Sequence, residues 1–289
     1  MTENLMTENV SDRNGRALEY NVAIELENLR GFNLTDRCKS LNERDREKFL
    51  SLPSSLKTSY QDASLKISKW AESLFSENAD VTVDRLPDNP DDPSDFILSS
   101  NDSKISISLK HNHEALKHPR PYSFAQACGY VKNSFEDKSH RNRMNLASNN
   151  FRNSSNGKRL FNQCDQSSID NLYYDVCKAC EDSLSIWNSS NKNLANVLFN
   201  FLVSNDFYKV IVETSNGTKV KVQDYINIPQ TSSLTASVKG NRLLLVFNNS
   251  WTLNLRIHTA SSTIASAPLQ LSLKFDAQKE VGSVREFFI

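Results

Sequence analysis

The sequence predicts a mixed α/β (α+β) fold, in which a mixed central sheet is flanked by helices and a β-rich part follows towards the C-terminus. Helical periodicity dominates the first quarter of the chain, where apolar residues recur at a 4-3-4-3-4 spacing between residues 55 and 75. Strict alternation of apolar and polar residues over 105–110 indicates a strand, and most of the segment after residue 240 has the same character. Helices followed by strands in this order suit a layered α/β domain.

Composition limits the class of protein. The chain has 289 residues, is 38% hydrophobic and 24% charged, and carries a formal net charge of +0, so no global charge draws it to nucleic acid or membrane. Only 7 Gly and 8 Pro argue against a collagenous or disordered chain. Five Cys without an apolar leader predict a cytoplasmic protein with reduced thiols. We expect residues 1–11 to form a disordered tail and 12–289 a single domain.

The first elements are two helices and a short strand. Residues 15–29 have high helical propensity, and their acid Glu19, taken alone, is typical of a solvent-facing position. Residues 55–75 form the second helix, with one apolar stripe. Val81 and Val83 predict a strand, and DNPDDP at 88–93 predicts a turn.

The stretch from residue 91 to 120 organises the rest of the prediction. Phe96 to Leu98 form a short buried strand, and a second strand ends at Lys110, which lies on the polar face with Ser106 and Ser108. Asp95 precedes the first of these strands and is the acid that meets Lys110, with Asp92 as the fallback. An acid and a lysine on adjacent strand ends, followed by basic residues, indicate a site for a divalent metal and a phosphate.

A polar segment follows at 138–159, and we predict that it is a loop. It contains six Lys or Arg, among them Arg141 and Arg143, and no acid. A solvated insertion would have this composition. Concentrated basic charge in a neutral chain favours a loop that lies along a phosphate backbone.

Helices are predicted again at 169–183 and 193–203, and a strand at 208–212. Cys177 and Cys180 form one CxxC in the first of these helices. A zinc site needs a second ligand pair at suitable spacing, and none is evident, so buried packing is the better interpretation.

The C-terminal third is predicted to be β-rich. Residues 243–247 form a strand, a turn follows at 248–250, and the next strand places Trp251, Leu253, Leu255 and Ile257 on one face. The opposite face contains Arg256 and His258, and Ser261 and Ser262 extend it. This row suits hydrogen bonding to phosphates or base edges, although a solvated sheet face would have the same composition.

Asp95 and Ser108-x-Lys110 together have the outline of the PD-(D/E)xK nuclease core. In such a core the carboxylate binds Mg²⁺, and the lysine positions or deprotonates the attacking water and offsets charge in the transition state. The pattern alone is weak, since LSLK recurs at 271–274. That copy has no acid between residues 251 and 270 and is rejected.

Three longer segments carry a resemblance. SLKHNHEALKHPR at 108–120, LRIHTASS at 255–262 and SLKFDAQ at 272–278 together resemble the HaeIII-type family of type II restriction endonucleases. GRALEY at 15–20 fits the same family, because nucleases with this core often place a Glu of the first helix at the metal site. The matched segments span most of the chain in the right order, and the run at 108–120 is the most specific.

The resemblance implies Mg²⁺-dependent cleavage of unmethylated double-stranded DNA at a short palindrome, GGCC for the namesake, leaving 5′-phosphate ends. Asp95 and Glu19 would hold the metal and Lys110 would serve the water. Ser108 stands where a second acid is usual, so Glu19, a backbone carbonyl near Leu109 or water would substitute. The implied phosphate and substrate contacts are His111, Asn112, His113, Lys117, His118 and Arg120.

The implied regions are a catalytic core over about 12–130, the basic loop 138–159 and a specificity region over 160–289. The expected partners are double-stranded DNA, a cognate DNA methyltransferase as genetic partner and, from the symmetry of a palindrome, a second copy of the chain. A repair nuclease on the same core and a non-enzymatic DNA-binding protein are the alternatives.

Overall fold

The computed structural model describes residues 10–87, 93–204, 206–282 and 284–289. In chain order the elements are α1 (Val10–Glu27), β1 (Phe32–Leu34), α2 (Asp36–Leu50), α3 (Ser54–Glu72), β2 (Val81–Arg85), β3 (Phe96–Ser99), β4 (Lys104–His111), α4 (Phe124–Ala127), α5 (Phe135–Ser154), α6 (Gln166–Ser190), α7 (Leu194–Val203), β5 (Tyr208–Glu213), β6 (Lys219–Asp224), β7 (Leu234–Lys239), β8 (Arg242–Phe247), β9 (Thr252–Thr259), β10 (Leu273–Val281) and β11 (Arg285–Phe288). Short 3₁₀ helices lie at Pro121–Ser123 and Phe161–Gln163. The predicted mixed α/β class is confirmed.

The chain divides into two compact units. Among the described residues, unit 1 comprises 10–87, 93–114, 206–228 and 284–289, and unit 2 comprises 115–204 and 229–282. The single domain expected over 12–289 stays a prediction.

Unit 1 is built on a seven-stranded mixed sheet in the order β1-β2-β3-β4-β5-β6-β11. Strands β2, β3 and β4 form an antiparallel meander, whereas β5 returns parallel to β4 after the chain has passed through unit 2. A parallel return needs a long crossover connection, and residues 115–204 supply it.

The core of unit 1 lies between one sheet face and the helices α1 and α3. Alternation along the strands directs Val83, Phe96, Leu98, Ile107 and Leu109 into this core, as the sequence predicts for 105–110. The opposite alternation directs Ser108 and Lys110 away from it. Helix α3 confirms the predicted stripe, since its buried residues include Tyr60, Ala63, Ile67 and Trp70.

Unit 2 combines helices with a four-stranded antiparallel sheet in the order β10-β9-β8-β7. Trp251, Leu253, Leu255 and Ile257 are buried, as the alternation predicts. In the register of β9 and β10, Arg256 lies opposite Asp276 and His258 lies opposite Lys274. This pairing places Asp276, which is distant from β9 in sequence, beside the polar residues of β9.

The predicted loop at 138–159 is wrong for most of its length. Residues 135–154 form helix α5, which begins with the Ser134 side chain accepting a hydrogen bond from the Asp137 N–H at 3.2 Å. Its buried face includes His140, Met144, Ala147 and Phe151, a helical spacing. The Lys, Arg and Asn residues that make the segment polar are exposed or half-buried, while this buried face packs.

Two further predicted segments lie partly outside the described residues. In the predicted disordered tail 1–11, residues 1–9 lie outside the described residues, whereas Val10 and Ser11 already belong to α1. The turn predicted at 88–93 lies outside them except for Pro93.

Cys177 and Cys180 are free and buried in α6, which confirms the predicted buried packing. Burial raises the pKa of the Cys177 thiol to about 12 and that of Cys180 well above its ordinary value. In the part of the chain that the structure describes, no helix combines the length and the apolar character that crossing a membrane requires.

Candidate active site

Asp95 is held by the sheet on both sides. Its N–H donates to Ile107 O on β4 at 2.8 Å, and its carbonyl accepts from Leu86 N, just after β2, at 2.9 Å. The residue therefore continues the central strand of the β2-β3-β4 meander by one position. Backbone hydrogen bonds on two sides fix where its side chain begins.

Three donors from β4 converge on one oxygen of Asp95. The Leu109 N–H donates to Oδ2 at 2.6 Å, Lys110 Nζ lies 3.3 Å from the same atom and Ser108 Oγ lies 3.4 Å from it. The predicted meeting of Asp95 and Lys110 is confirmed. No described residue donates to Oδ1, and the side chains of Asp95 and Lys110 are 17% and 28% exposed, so solvent reaches the pair.

Ser108 is almost fully buried and lies next to Asp95. Its hydroxyl adds a weak hydrogen bond to the carboxylate, while a carboxylate at this position would face Asp95 directly. The alternative acid Asp92 lies outside the described residues.

Glu19 is not the solvent-facing acid that its position in a polar helix predicts, because it is only 7% exposed. Arg16 Nη1 donates to its Oε2 at 3.0 Å, and Arg85 Nη2 donates to the same oxygen at 2.7 Å. Burial and the negative charge of Asp95 raise the pKa of Glu19, while Arg85 and Arg16 act in the opposite direction. The charge of Asp95 therefore reaches Glu19.

Arg85 is the residue of this site that sequence reasoning missed. It ends β2, is fully buried, and donates from Nη1 to Asn42 Oδ1 at 2.7 Å and from Nη2 to Asp45 Oδ2 at 2.9 Å. We call Arg85, Glu19, Asp45 and Asn42 the buried arginine cluster. Burial acts to raise the pKa of Asp45, but the hydrogen bond from Arg44 and the charge of Arg85 lower it.

The basic group at 111–120 divides between the two units, and its members in unit 1 contact protein. His111 Nε2 lies 3.0 Å from Thr214 Oγ1, and its ring packs edge-on against Tyr60. Burial lowers the pKa of His111. The Asn112 side chain accepts from Thr214 N at 3.0 Å, and His113 is half-buried. His111 and Asn112 therefore fix the end of β4 beside the end of β5.

In unit 2 a buried carboxylate gathers three of the predicted DNA contacts. His118 Nδ1 lies 2.7 Å from Asp276 Oδ1, His258 Nε2 lies 3.1 Å from the same atom, and Arg256 Nη2 donates to Oδ2 at 3.1 Å. Arg256 and His118 keep side-chain exposures of 47% and 40%. We call these four residues the Asp276 cluster.

The other predicted contacts in unit 2 have structural partners. Arg141 pairs with the buried Asp137 at 3.0 Å, and Arg143 donates to Ser139 Oγ at 3.2 Å. The remaining positions are Lys117, which lies over the Phe201 ring, Arg120, which donates to Leu273 O, and Ser261 and Ser262, which are exposed after β9. Arg141 and Arg143 thus lie on a helix, and their hydrogen bonds stabilise it.

The donor set beside Asp95 fits a hard divalent cation. Carboxylate oxygens are what Mg²⁺ prefers, and it is commonly bound through one or two carboxylates together with substrate phosphates. Asp95 Oδ1 receives no hydrogen bond from a described residue, and Glu19, whose pKa the charge of Asp95 raises, adds a second carboxylate. Asp95 and Glu19 are the residues that could hold the ion.

No family model matches the chain, and no curated protein or solved structure matches it either.

Proposed function

We propose that the chain is a type II restriction endonuclease with a PD-(D/E)xK core, which hydrolyses double-stranded DNA at a short palindrome with Mg²⁺. The main support for this proposal is the pair formed by Asp95, just before β3, and Lys110, near the end of β4. Asp95 and Lys110 approach to 3.3 Å at the end of an antiparallel meander whose last strand pairs in parallel with β5. The resemblance at 108–120, 255–262 and 272–278 supports the restriction class.

The proposed chemistry is in-line hydrolysis of a phosphodiester. A water oxygen forms a bond to phosphorus, the P–O3′ bond breaks, and the products are a 5′-phosphate and a 3′-hydroxyl. When bound at Asp95 and Glu19, the cation would polarise the scissile phosphate and lower the pKa of a bound water. Lys110 would orient the attacking water through its ammonium donors and offset the negative charge that develops on the phosphate oxygens.

Because Ser108 stands where this core usually has a second acid, the proposal gives Glu19 a larger role at the metal site. Ser108 supplies a hydroxyl, not a carboxylate, at the strand position opposite Asp95. Glu19 comes from α1, packs against the end of β2 through Arg85, and provides the second acid. In this proposal Glu19 supports either the metal or its water.

DNA contacts are proposed on the exposed residues of unit 2. Arg256, His118 and His258 share the Asp276 carboxylate and remain partly exposed, and Ser261 and Ser262 follow on the same chain segment. Such side chains suit phosphate or base-edge contacts. A palindromic target favours a homodimer, and a cognate DNA methyltransferase and a cytoplasmic location belong to the same proposal.

The test is digestion of plasmid DNA that contains GGCC and other palindromes, in the presence of Mg²⁺, followed by sequencing of the ends. We expect fragments with 5′-phosphates at one palindrome, and loss of cleavage when that site is methylated. We expect Lys110→Ala to abolish cleavage and to leave binding of the same duplex largely intact. Lys104→Ala, which changes an exposed lysine at the other end of β4, is the matched control and should cleave normally.

Each outcome decides between functions. Cleavage that ignores sequence and methylation would favour a repair nuclease on the same core. Specific binding without cleavage would favour a DNA-binding protein that is not an enzyme. Full cleavage by Lys110→Ala would remove the catalytic assignment.

A further inference from the structure

Arg85 is the largest charged side chain that unit 1 buries completely. An arginine without solvent is costly, because its charge must be compensated inside the protein. Here the compensation comes from two helices, Glu19 on α1 and Asp45 on α2. A buried ion pair alone is weak evidence for a gain in stability, so the position of Arg85 needs another explanation.

Besides the two carboxylates that balance its charge, the Arg85 guanidinium has a neutral hydrogen-bond acceptor, the Asn42 side chain. Asn42 accepts from Nη1 at 2.7 Å, and Asp45 accepts from Nη2 at 2.9 Å, so α2 determines where the planar group lies. The same Nη2 donates to Glu19 Oε2 at 2.7 Å. Arg44 in turn donates to both oxygens of Asp45, at 2.9 and 2.8 Å. Arg85 therefore links α2 to Glu19 through direct hydrogen bonds.

Glu19, which Arg85 contacts, is the acid whose pKa is raised by the charge of Asp95. Arg85 is followed by Leu86, whose N–H donates to the Asp95 carbonyl at 2.9 Å, so Arg85 carries Glu19 to the strand end at which Asp95 lies. Two carboxylates repel each other, and the positive charge of Arg85 offsets that repulsion. Arg16 and Arg85 both contact Glu19, but Arg16 lies on the same helix one turn earlier. Arg85 is the contact that ties Glu19 to β2, which pairs directly with β3 after Asp95.

We propose that Arg85 is a positioning residue for the candidate metal site: held by Asn42 and Asp45, it fixes the Glu19 carboxylate on the side of Asp95 and so prepares both acids for a divalent cation. The proposal rests on the proposed function only in taking Asp95 and Glu19 as the cation ligands. It assigns Arg85 no contact with substrate. Residues that orient metal ligands in this way commonly change metal affinity or activity about 10–100-fold when they are replaced.

The experiment measures Mn²⁺ binding to the DNA-free full-length chain by electron paramagnetic resonance of the free ion. Mn²⁺ takes the same oxygen ligands as Mg²⁺ and reports directly. We expect Arg85→Lys, which keeps the charge but cannot serve three acceptors in one plane, to weaken Mn²⁺ binding about 10–100-fold. In cleavage assays the same variant should need correspondingly more metal, with turnover partly restored at saturation.

Arg37→Lys is the matched control. Arg37 pairs with Asp84, the neighbour of Arg85 on β2, in an exposed ion pair that has no part in the buried arginine cluster. We expect its Mn²⁺ affinity to equal that of the wild type. Circular dichroism of both variants shows whether the fold is retained.

A folded Arg85→Lys variant with wild-type Mn²⁺ affinity would overturn the proposal. A wild-type chain that binds no Mn²⁺ would overturn it as well. So would a Glu19→Gln variant that binds Mn²⁺ as tightly as the wild type. If Arg85→Lys does not fold, Asn42→Ala replaces it, because this change frees one side of the guanidinium and keeps its charge. Weaker binding by folded Asn42→Ala supports the proposal, and unchanged binding refutes it. Mn²⁺ binding that depends on Arg85 in a chain that cuts no DNA would remove the nuclease function alone.

Discussion

The main-chain N–H of Leu109 donates a hydrogen bond of 2.6 Å to Oδ2 of Asp95. Since this donor belongs to the β4 backbone, the direction of the Asp95 carboxylate depends on the register of β3 and β4 and not only on the flexible Lys110 side chain. Hydrogen bonds to an ionised acceptor are among the stronger ones in proteins. The acid should therefore keep its orientation when Lys110 is replaced.

This relationship predicts different effects for two substitutions of Asp95. Asp95→Ala leaves the buried Leu109 N–H without its acceptor, which should lower the free energy of unfolding by about 1–3 kcal/mol. Asp95→Asn keeps an oxygen that can accept from Leu109 and should cost less, although both variants should lose DNA cleavage. Urea denaturation at neutral pH measures the two free energies. Equal losses for Ala and Asn would show that the Leu109 contact contributes nothing.

Ser108→Asp tests the departure from the usual acid. The new carboxylate would lie beside Asp95 at a position that is 1% exposed, so like charges and burial should destabilise the metal-free protein by about 1–3 kcal/mol. If the site binds a divalent cation, Mg²⁺ should recover most of this loss. Thermal melting with and without Mg²⁺ gives both values.

Ser106→Asp is the control for this substitution, because Ser106 lies on the same face of β4 but opposite Ile97. Its melting temperature should not depend on Mg²⁺. A Ser108→Asp variant whose stability is equally indifferent to Mg²⁺ would argue against a cation beside Asp95.

The parts of the fold that sequence could predict are those set by local periodicity. Alternation at 105–110 gave β4 and, with Asp95 just before β3, the meeting of the acid and Lys110, because hairpin partners are close in sequence. Helix α5 carried a stripe as well, His140, Met144, Ala147 and Phe151, but the many Asn, Arg and Ser around it concealed it. The polar composition of 138–159 predicts a loop, whereas the spacing of the four buried residues predicts the helix that forms.

The contacts of the buried arginine cluster lay beyond local reasoning. Alternation with Val81 and Val83 places Arg85 on the buried face of β2, so its burial has a local signal. Its partners have none, because Glu19 is 66 residues and Asp45 is 40 residues away along the chain. The Asp276 cluster has the same origin, since His118 and Asp276 are 158 residues apart.

Asp276 gives a prediction that depends on pH. Burial acts to raise its pKa, but the hydrogen bonds of His258 and Arg256 and the charges of His258 and His118 lower it from 3.8 to about 2. A depressed pKa means that the ionised group stabilises the fold above its unfolded pKa, and that this contribution is lost as the pH falls towards 2. Asp276→Asn should therefore cost about 2 kcal/mol at pH 7 and about half as much at pH 3.

Urea denaturation of wild type and Asp276→Asn at pH 7, 5 and 3 measures this difference. Asp170→Asn, at an exposed acid on α6, is the control and should change the free energy of unfolding at pH 7 by less than about 0.5 kcal/mol. A loss in Asp276→Asn that stays constant from pH 7 to pH 3 would mean that shape, not charge, explains the effect. A loss that becomes smaller as the pH falls would show that the carboxylate holds His118, Arg256 and His258 by its charge.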